Sequence, residues 1–150
     1  MNQKRRTVLK STGAMATLLS LGIVTAEQAM AAGRAGFEAK SLEEAIKALG
    51  GSAAANDQVA IVSPDIAENG AVVPVGATSK LANTTAIYLL VEKNPTPLAA
   101  GFSIPAGTEP EVQTRLKMGQ STNVVAVVKA DGKLYSATKE TKVTLGGCGG

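Results

Sequence analysis

The single cysteine of the chain, Cys148, lies in a run of glycines that places no other side chain beside it. Two glycines precede it and two follow it: Gly146, Gly147, Gly149 and Gly150. Because glycine has no Cβ and adopts both signs of φ, we expect this segment to be a flexible arm. The nearest cation in the sequence is Lys142, so nothing next to the thiol activates it. Such a thiol suits covalent carriage better than nucleophilic catalysis.

The composition excludes several kinds of chemistry. The 150 residues include no histidine and one cysteine, so the chain cannot build a Ser-His-Asp or Cys-His arrangement. One cysteine cannot close an internal disulfide or fill an all-cysteine zinc site. Aromatic residues make up 3%, too few for a platform that stacks nucleic-acid bases. We therefore expect no metal site and no cofactor, and a chain that is not itself an enzyme.

The positive charge of the chain is confined to its first residues. The net charge is +3, and residues 1–31 hold four cations, Lys4, Arg5, Arg6 and Lys10, against one anion, Glu27. In residues 32–150 the remaining 11 cations balance the remaining 11 anions. A neutral domain gives no reason to expect nucleic acid as a partner.

Residues 1–31 have the features of an export signal. Arg5 and Arg6 precede Thr-Val-Leu-Lys, which fits the twin-arginine pattern. A mildly apolar run follows, of about 14 residues, too short to span a bilayer. Ala29 and Ala31 then supply the small residues of a cleavage site. We expect a twin-arginine signal peptide over residues 1–31, no membrane span, and a mature periplasmic chain that begins near Ala32.

The mature domain, residues 32–145, begins with the signature of a short helix. Ser41 starts a capping box in which Glu44 is placed to bond back to the Ser41 backbone. Apolar residues with helical spacing follow, and Gly50 provides a left-handed cap. The pattern predicts a helix over Leu42–Leu49.

Beyond Asn56 the apolar runs are short and are separated by turn signals. Residues 111–118 alternate between polar and apolar side chains, and Asp131-Gly132 separates two runs as a hairpin turn does. The predicted strands are residues 59–62, 71–79, 86–92, 98–104, 111–118, 123–129, 133–138 and 141–145. This pattern predicts an all-β, immunoglobulin-like antiparallel sandwich of about seven strands, with the helix ahead of it and residues 146–150 as the arm.

Two cations on the polar face of the 111–118 strand allow two interpretations. Arg115 and Lys117 could dock a partner, or they could belong to a solvated strand face. The second interpretation is favoured, because exposed charges on a strand face contribute little by themselves.

The glycine-flanked cysteine, following Val143-Thr144-Leu145, resembles the swinging-arm signature of the SoxY family. SoxY proteins are the sulfur-carrying subunits of SoxYZ complexes in bacterial thiosulfate oxidation. The resemblance extends to Asn-Pro-Thr-Pro at residues 94–97, to Thr-Arg-Leu-Lys-Met at 114–118, to residues 125–135 and to the twin-arginine start.

The resemblance implies a function for Cys148 and a set of partners. In the family, the matching cysteine holds thiosulfate-derived sulfur covalently, and the four glycines give the arm its reach and slimness. The SoxAX cytochrome couples thiosulfate to the cysteine. The SoxB hydrolase releases sulfate, and SoxCD, where present, oxidises the remaining sulfur. A SoxZ subunit completes a heterodimer and is exported with its partner, which would explain folded export without a cofactor.

One alternative is left open by the residues themselves. A lone cysteine in an exported protein also suits an immunoglobulin-like interaction module in which Cys148 forms an intermolecular disulfide.

Overall fold

A computed structural model describes residues 34–144 of the chain. They contain a helical stretch at residues 34–38, one longer helix, α1 (Leu42–Leu49), and nine strands. The strands are β1 (Ala53–Ala55), β2 (Val59–Val62), β3 (Ile66–Ala67), β4 (Val73–Ser79), β5 (Thr84–Val91), β6 (Leu98–Ser103), β7 (Glu111–Leu116), β8 (Thr122–Ala130) and β9 (Lys133–Val143). None of the helices in the described residues is both long and apolar enough to cross a membrane.

The helix α1 begins and ends where the sequence predicts. The Glu44 N–H donates to Ser41 Oγ at 3.2 Å, which satisfies one free N–H at the helix start. The predicted bond between the Glu44 carboxylate and the Ser41 N–H is wrong. The carboxylate accepts instead from the N–H of the preceding residue, Lys40, at 3.1 Å. Gly50 ends the helix with φ 137°, a backbone conformation that side chains with a Cβ rarely adopt.

The strands form two sheets that pack face to face. The larger sheet has the order β1-β9-β8-β5-β6, with β3 also paired to β9, and the smaller has the order β2-β4-β7. Only the short strands β1 and β3 run parallel to their neighbour β9. The interior is filled by alternate residues of both sheets: Val73, Val75, Ala77, Ile87, Leu89, Val91, Val124, Ala126 and Val128. The predicted all-β, immunoglobulin-like sandwich is confirmed.

A second apolar cluster lies on the outer face of the larger sheet. Ala45 and Leu49 of α1 cover buried side chains from four strands: Leu90, Leu98, Val125, Val127 and Leu134. The side chains of β5 and β8 are therefore buried on both faces of the sheet. This explains why their sequences are almost continuously apolar instead of alternating.

The end of the chain differs from the prediction. Residues 133–143 form one strand, β9, where the sequence predicts two strands separated near Lys139. The strand is continuous because it pairs with β8 from Ala130↔Lys133 to Thr122↔Thr141, past the predicted break near Lys139. The hairpin between them is confirmed, since Asp131 and Gly132 both have positive φ, 49° and 73°.

Candidate functional site at the end of the last strand

Every site residue predicted from the sequence lies outside the described residues. These are the cysteine, the four glycines of the arm, the arginine pair and the alanines of the cleavage region: Cys148, Gly146, Gly147, Gly149, Gly150, Arg5, Arg6, Ala29 and Ala31. The structure describes the strand that precedes the cysteine in the sequence, β9. Strand β9 ends at Val143, and Thr144 is the last described residue, four positions before Cys148.

The end of β9 is held along one edge by the residues that precede and begin β8. Thr141 pairs with Thr122 at the start of β8. Beyond this pair, the Val143 N–H donates to Ser121 Oγ at 2.9 Å. A side-chain hydroxyl therefore extends the ladder of hydrogen bonds past the last paired residue of the strand.

The other edge of the same segment is held by β3. This two-residue strand pairs in parallel with the end of β9, Ile66 with Lys142 and Ala67 with Val143. The Lys142 N–H donates to the Asp65 carbonyl at 2.9 Å, and the Thr144 N–H donates to the Ala67 carbonyl at 3.1 Å. The backbone is thus hydrogen-bonded on both edges as far as Thr144, the last described residue.

Side chains hold the segment before β3 against β9. The Lys139 ammonium donates to the Ser63 carbonyl at 2.6 Å and lies 3.1 Å from Asp65 Oδ1. The fully buried Thr141 hydroxyl donates to Ser63 Oγ at 3.0 Å. Asp65 is 88% exposed, so its ion pair contributes little. The buried hydroxyl pair matters more, because losing one member leaves the other without a partner.

Gly70 fits against the end of β9 because it has no side chain. The sequence indicates a turn at Asn69-Gly70, and Asn69 Oδ1 does accept from the Ala71 N–H at 3.0 Å. The structure adds a steric reason. A Cβ on Gly70 would clash with the Met118 carbonyl and would lie 2.9 Å from Val143 Cγ1.

We expect Gly70→Ala to lower the free energy of unfolding by about 1–3 kcal/mol, the usual cost of overpacking. The Met118 backbone cannot easily yield, because its N–H is bonded to the Gly70 carbonyl at 2.7 Å. Chemical denaturation measures the effect. Gly119→Ala is the matched control, since a Cβ there meets nothing within 4 Å. Equal midpoints for the two variants would show that the close contact is not restrictive.

Among residues 34–144, no three His, Cys, Asp or Glu side chains are grouped closely enough to hold a metal ion. Burial raises the pKa of the Tyr88 phenol, which keeps it protonated. Tyr88 lies on β5, on the side of the larger sheet that packs against α1. Arg115 and Lys117 are both exposed.

The residues that hold the end of β9 could not be identified from the sequence. Ser63 and Thr141 are 78 positions apart, and Ser121 and Val143 are 22 apart. Strand β3 has two residues, too few for an alternating pattern to be visible. No local signal marks these residues.

The described residues form an all-β sandwich whose last strand is held on both edges, and in the sequence this strand precedes a glycine-flanked cysteine. The family model of the sulfur oxidation protein SoxY matches residues 46–148. The sulfur carrier protein SoxY from Chlorobium limicola f thiosulfatophilum is 39% identical, over 70% of this chain and 97% of that one, with a TM-score of 0.64. The chain belongs to the SoxY family.

More distant structures share the fold alone. A superoxide reductase (neelaredoxin) from Ignicoccus hospitalis is 21% identical over 58% of this chain and 80% of that one, with a TM-score of 0.51. A hypothetical protein from Pyrococcus horikoshii is 13% identical over 60% of this chain and 96% of that one, with a TM-score of 0.50. No curated protein sequence matches the chain.

Proposed function

We propose that this chain is a periplasmic sulfur carrier in thiosulfate oxidation, with Cys148 as the point of covalent attachment. The observation that carries the proposal is the extent of the family match. It runs to residue 148 and so includes the one cysteine of the chain. The likeness to a solved sulfur carrier over 97% of that protein's length supports it further.

The proposed chemistry begins with the loading of Cys148. The thiol of Cys148 and the outer sulfur of thiosulfate form a disulfide bond, and the thiol loses its proton. This coupling releases two electrons, which the SoxAX cytochrome accepts. Water then attacks the sulfone sulfur in the SoxB hydrolase. The attack breaks the bond between the two thiosulfate-derived sulfurs, releases sulfate and leaves a persulfide on Cys148.

The remaining sulfur is removed in two further steps. SoxCD, where present, oxidises the outer persulfide sulfur to a sulfonate, taking six electrons from it while three water molecules supply the oxygen. SoxB then hydrolyses the sulfur–sulfur bond, so that sulfate leaves and the thiol of Cys148 returns. In this scheme the chain carries the substrate, and the partner enzymes supply the catalysis.

The geometry of the described residues suits this role. A carrier needs a fixed base and a narrow segment that can enter the active site of another protein. Thr144 is fixed by a hydrogen bond to Ala67, and Ser121 holds Val143 on the opposite edge. From Thr144, four extended residues would place Cys148 at most about 14 Å away. Gly146 and Gly147 add no side chains along this path.

Location and assembly form part of the same proposal. Arg5 and Arg6 would direct the chain to the twin-arginine pathway, with cleavage near Ala31. A SoxZ subunit would form a heterodimer with it and be exported together with it. Export together with SoxZ would explain why a chain without a cofactor uses a pathway that transports folded proteins.

The mass of the intact chain tests the proposal against a plain disulfide role for Cys148. The chain is purified without reductant from cells that oxidise thiosulfate and from cells grown without it. We expect sulfur and thiosulfonate adducts only in the first sample, and we expect reductant to remove them. A chain that carries nothing but free thiol and disulfides in both samples would contradict the carrier function.

A further inference from the structure

Strand β7 forms an open edge of the smaller sheet. The sheet has the order β2-β4-β7, and β7 pairs with β4 from Val73↔Leu116 to Thr78↔Glu111. Among the described residues, no strand pairs with its other edge. An edge of this kind presents unpaired backbone groups to any strand that can align with it.

Hydrogen bonds at the two ends of β7 show which residues point towards β4. The Pro110 carbonyl accepts from the Ser79 N–H of β4 at 2.9 Å. The Met118 N–H donates to the Gly70 carbonyl, just ahead of β4, at 2.7 Å. The backbone groups of alternate residues point to opposite edges of a strand. The even-numbered residues of β7 therefore face β4, and the odd-numbered residues face the open edge.

The open edge consists of the backbone groups of three residues. Gln113 and Arg115 each point an N–H and a C=O away from β4, and Glu111 adds its C=O. The Glu111 N–H is already bonded to the Glu109 carbonyl at 2.9 Å. At the far end, Asn94 Nδ2 donates to the Lys117 carbonyl at 2.8 Å. The unpaired stretch is therefore bounded, with Gln113 at its centre.

The charges along this stretch reverse sign about Gln113. Two acids, Glu109 and Glu111, precede it, and two bases, Arg115 and Lys117, follow it at the same spacings. All four side chains are exposed. Glu111 and Arg115 are about 13 Å apart along one strand, too far to pair with each other. The one ion pair in the described residues, Lys139 with Asp65, involves none of them.

We propose that β7 pairs in antiparallel register with β7 of a second copy of this chain, about a two-fold axis at Gln113. This register places each Glu111 directly opposite Arg115 of the other copy, and each Glu109 opposite Lys117. It also lets Gln113 exchange two hydrogen bonds with its counterpart. Each Arg115 N–H meets a Glu111 carbonyl, which gives two more hydrogen bonds. The same edge on both copies is self-complementary, as a two-fold interface requires.

The proposed pairing joins the smaller sheets of two copies into one six-stranded sheet. Because the two β7 strands run in opposite directions, the two Thr144 residues lie at opposite ends of the joined sheet. The pairing is distinct from a dimer linked through Cys148, and it persists in reductant.

Charge reversal and charge exchange test the register. Sedimentation equilibrium is measured on the purified chain in reductant, so that Cys148 cannot form disulfides. We expect a reversible dimer whose Kd rises at least about tenfold in Arg115→Glu, since two opposite-charge pairs become like-charge pairs. The double variant Glu111→Arg, Arg115→Glu restores opposite charges and should recover the wild-type Kd. Lys133→Glu, exposed at the β8–β9 turn, is the control for net charge.

Three results would overturn the proposal. One is a chain that stays monomeric at concentrations up to about 1 mM. Another is a dimer whose Kd is insensitive to Arg115→Glu or is not recovered by the charge exchange. The third is an effect of these variants on binding to a different subunit without self-association of the wild-type chain, which would assign the edge to that subunit.

Discussion

Cells whose only copy of this chain carries Cys148→Ser should lose thiosulfate-dependent oxygen consumption, down to the level of cells that lack the chain. A serine hydroxyl cannot form the sulfur–sulfur bond on which each proposed step depends. The fold should be unaffected, because the interior of the sandwich is built from residues between Val59 and Val143. Oxygen uptake measures the activity, and thermal unfolding of the purified variant checks the fold.

Gly149→Ser is the matched control for this substitution. It introduces the same hydroxyl into the arm one position away and keeps the thiol of Cys148. We expect oxygen consumption well above that of Cys148→Ser, because the thiol is retained. Normal thiosulfate oxidation by Cys148→Ser, in cells with no second carrier, would remove the basis for covalent attachment.

Deleting Gly146 and Gly147 should have the second-largest effect. From the fixed base at Thr144, the greatest reach to the cysteine falls from about 14 Å to about 7 Å. The thiol can then no longer enter an active site that lies deeper than this below the surface of a partner. Small errors in the position of a reacting group already cost about a hundredfold in rate. We expect a loss of at least this size in loading by the partner cytochrome, measured with purified proteins.

Two comparisons separate reach from reactivity. Replacing both glycines with serine keeps the length of the segment while adding two small side chains, and we expect that variant to be loaded faster than the deletion variant. Alkylation of Cys148 by a small thiol reagent should be equally fast in the deletion variant and the wild-type chain. If partner loading of the shortened chain were unimpaired, the length of the segment would have no role in delivery.

The parts of the fold that depend on local sequence were predictable. The helix α1 has its cap at Ser41 and its end at Gly50, and both signals lie within two residues of the helix. The turn at Asp131-Gly132 is likewise a local feature, since both residues need positive φ. Such patterns are readable because the interactions that cause them join residues close in sequence.

Strands without a local signal could not be predicted. Strands β1 and β3 have three and two residues and exist because β9 offers its edge to them. The same cause joins residues 133–143 into one strand, since the partner β8 continues past Lys139. Polar residues in that segment suggested a break that pairing across the sheet overrides.

The candidate site divides in the same way. Cys148 and its glycines are visible in the sequence, because a thiol among residues without side chains is an uncommon local pattern. The base of the arm is not visible there. It depends on Ser63 reaching Thr141 and on Ala67 reaching Thr144, contacts between residues 77 or 78 positions apart. Only the three-dimensional structure brings these segments together.

The most direct test of the carrier function follows the mass of the peptide that contains Cys148 through one turnover. Cleavage after Lys142 releases residues 143–150, in which Cys148 is the one group that can hold sulfur. With thiosulfate and the partner cytochrome, we predict a thiosulfonate on this peptide. Adding the partner hydrolase should convert it to a persulfide as sulfate appears. A peptide that stays unmodified while the partners oxidise thiosulfate would contradict the account.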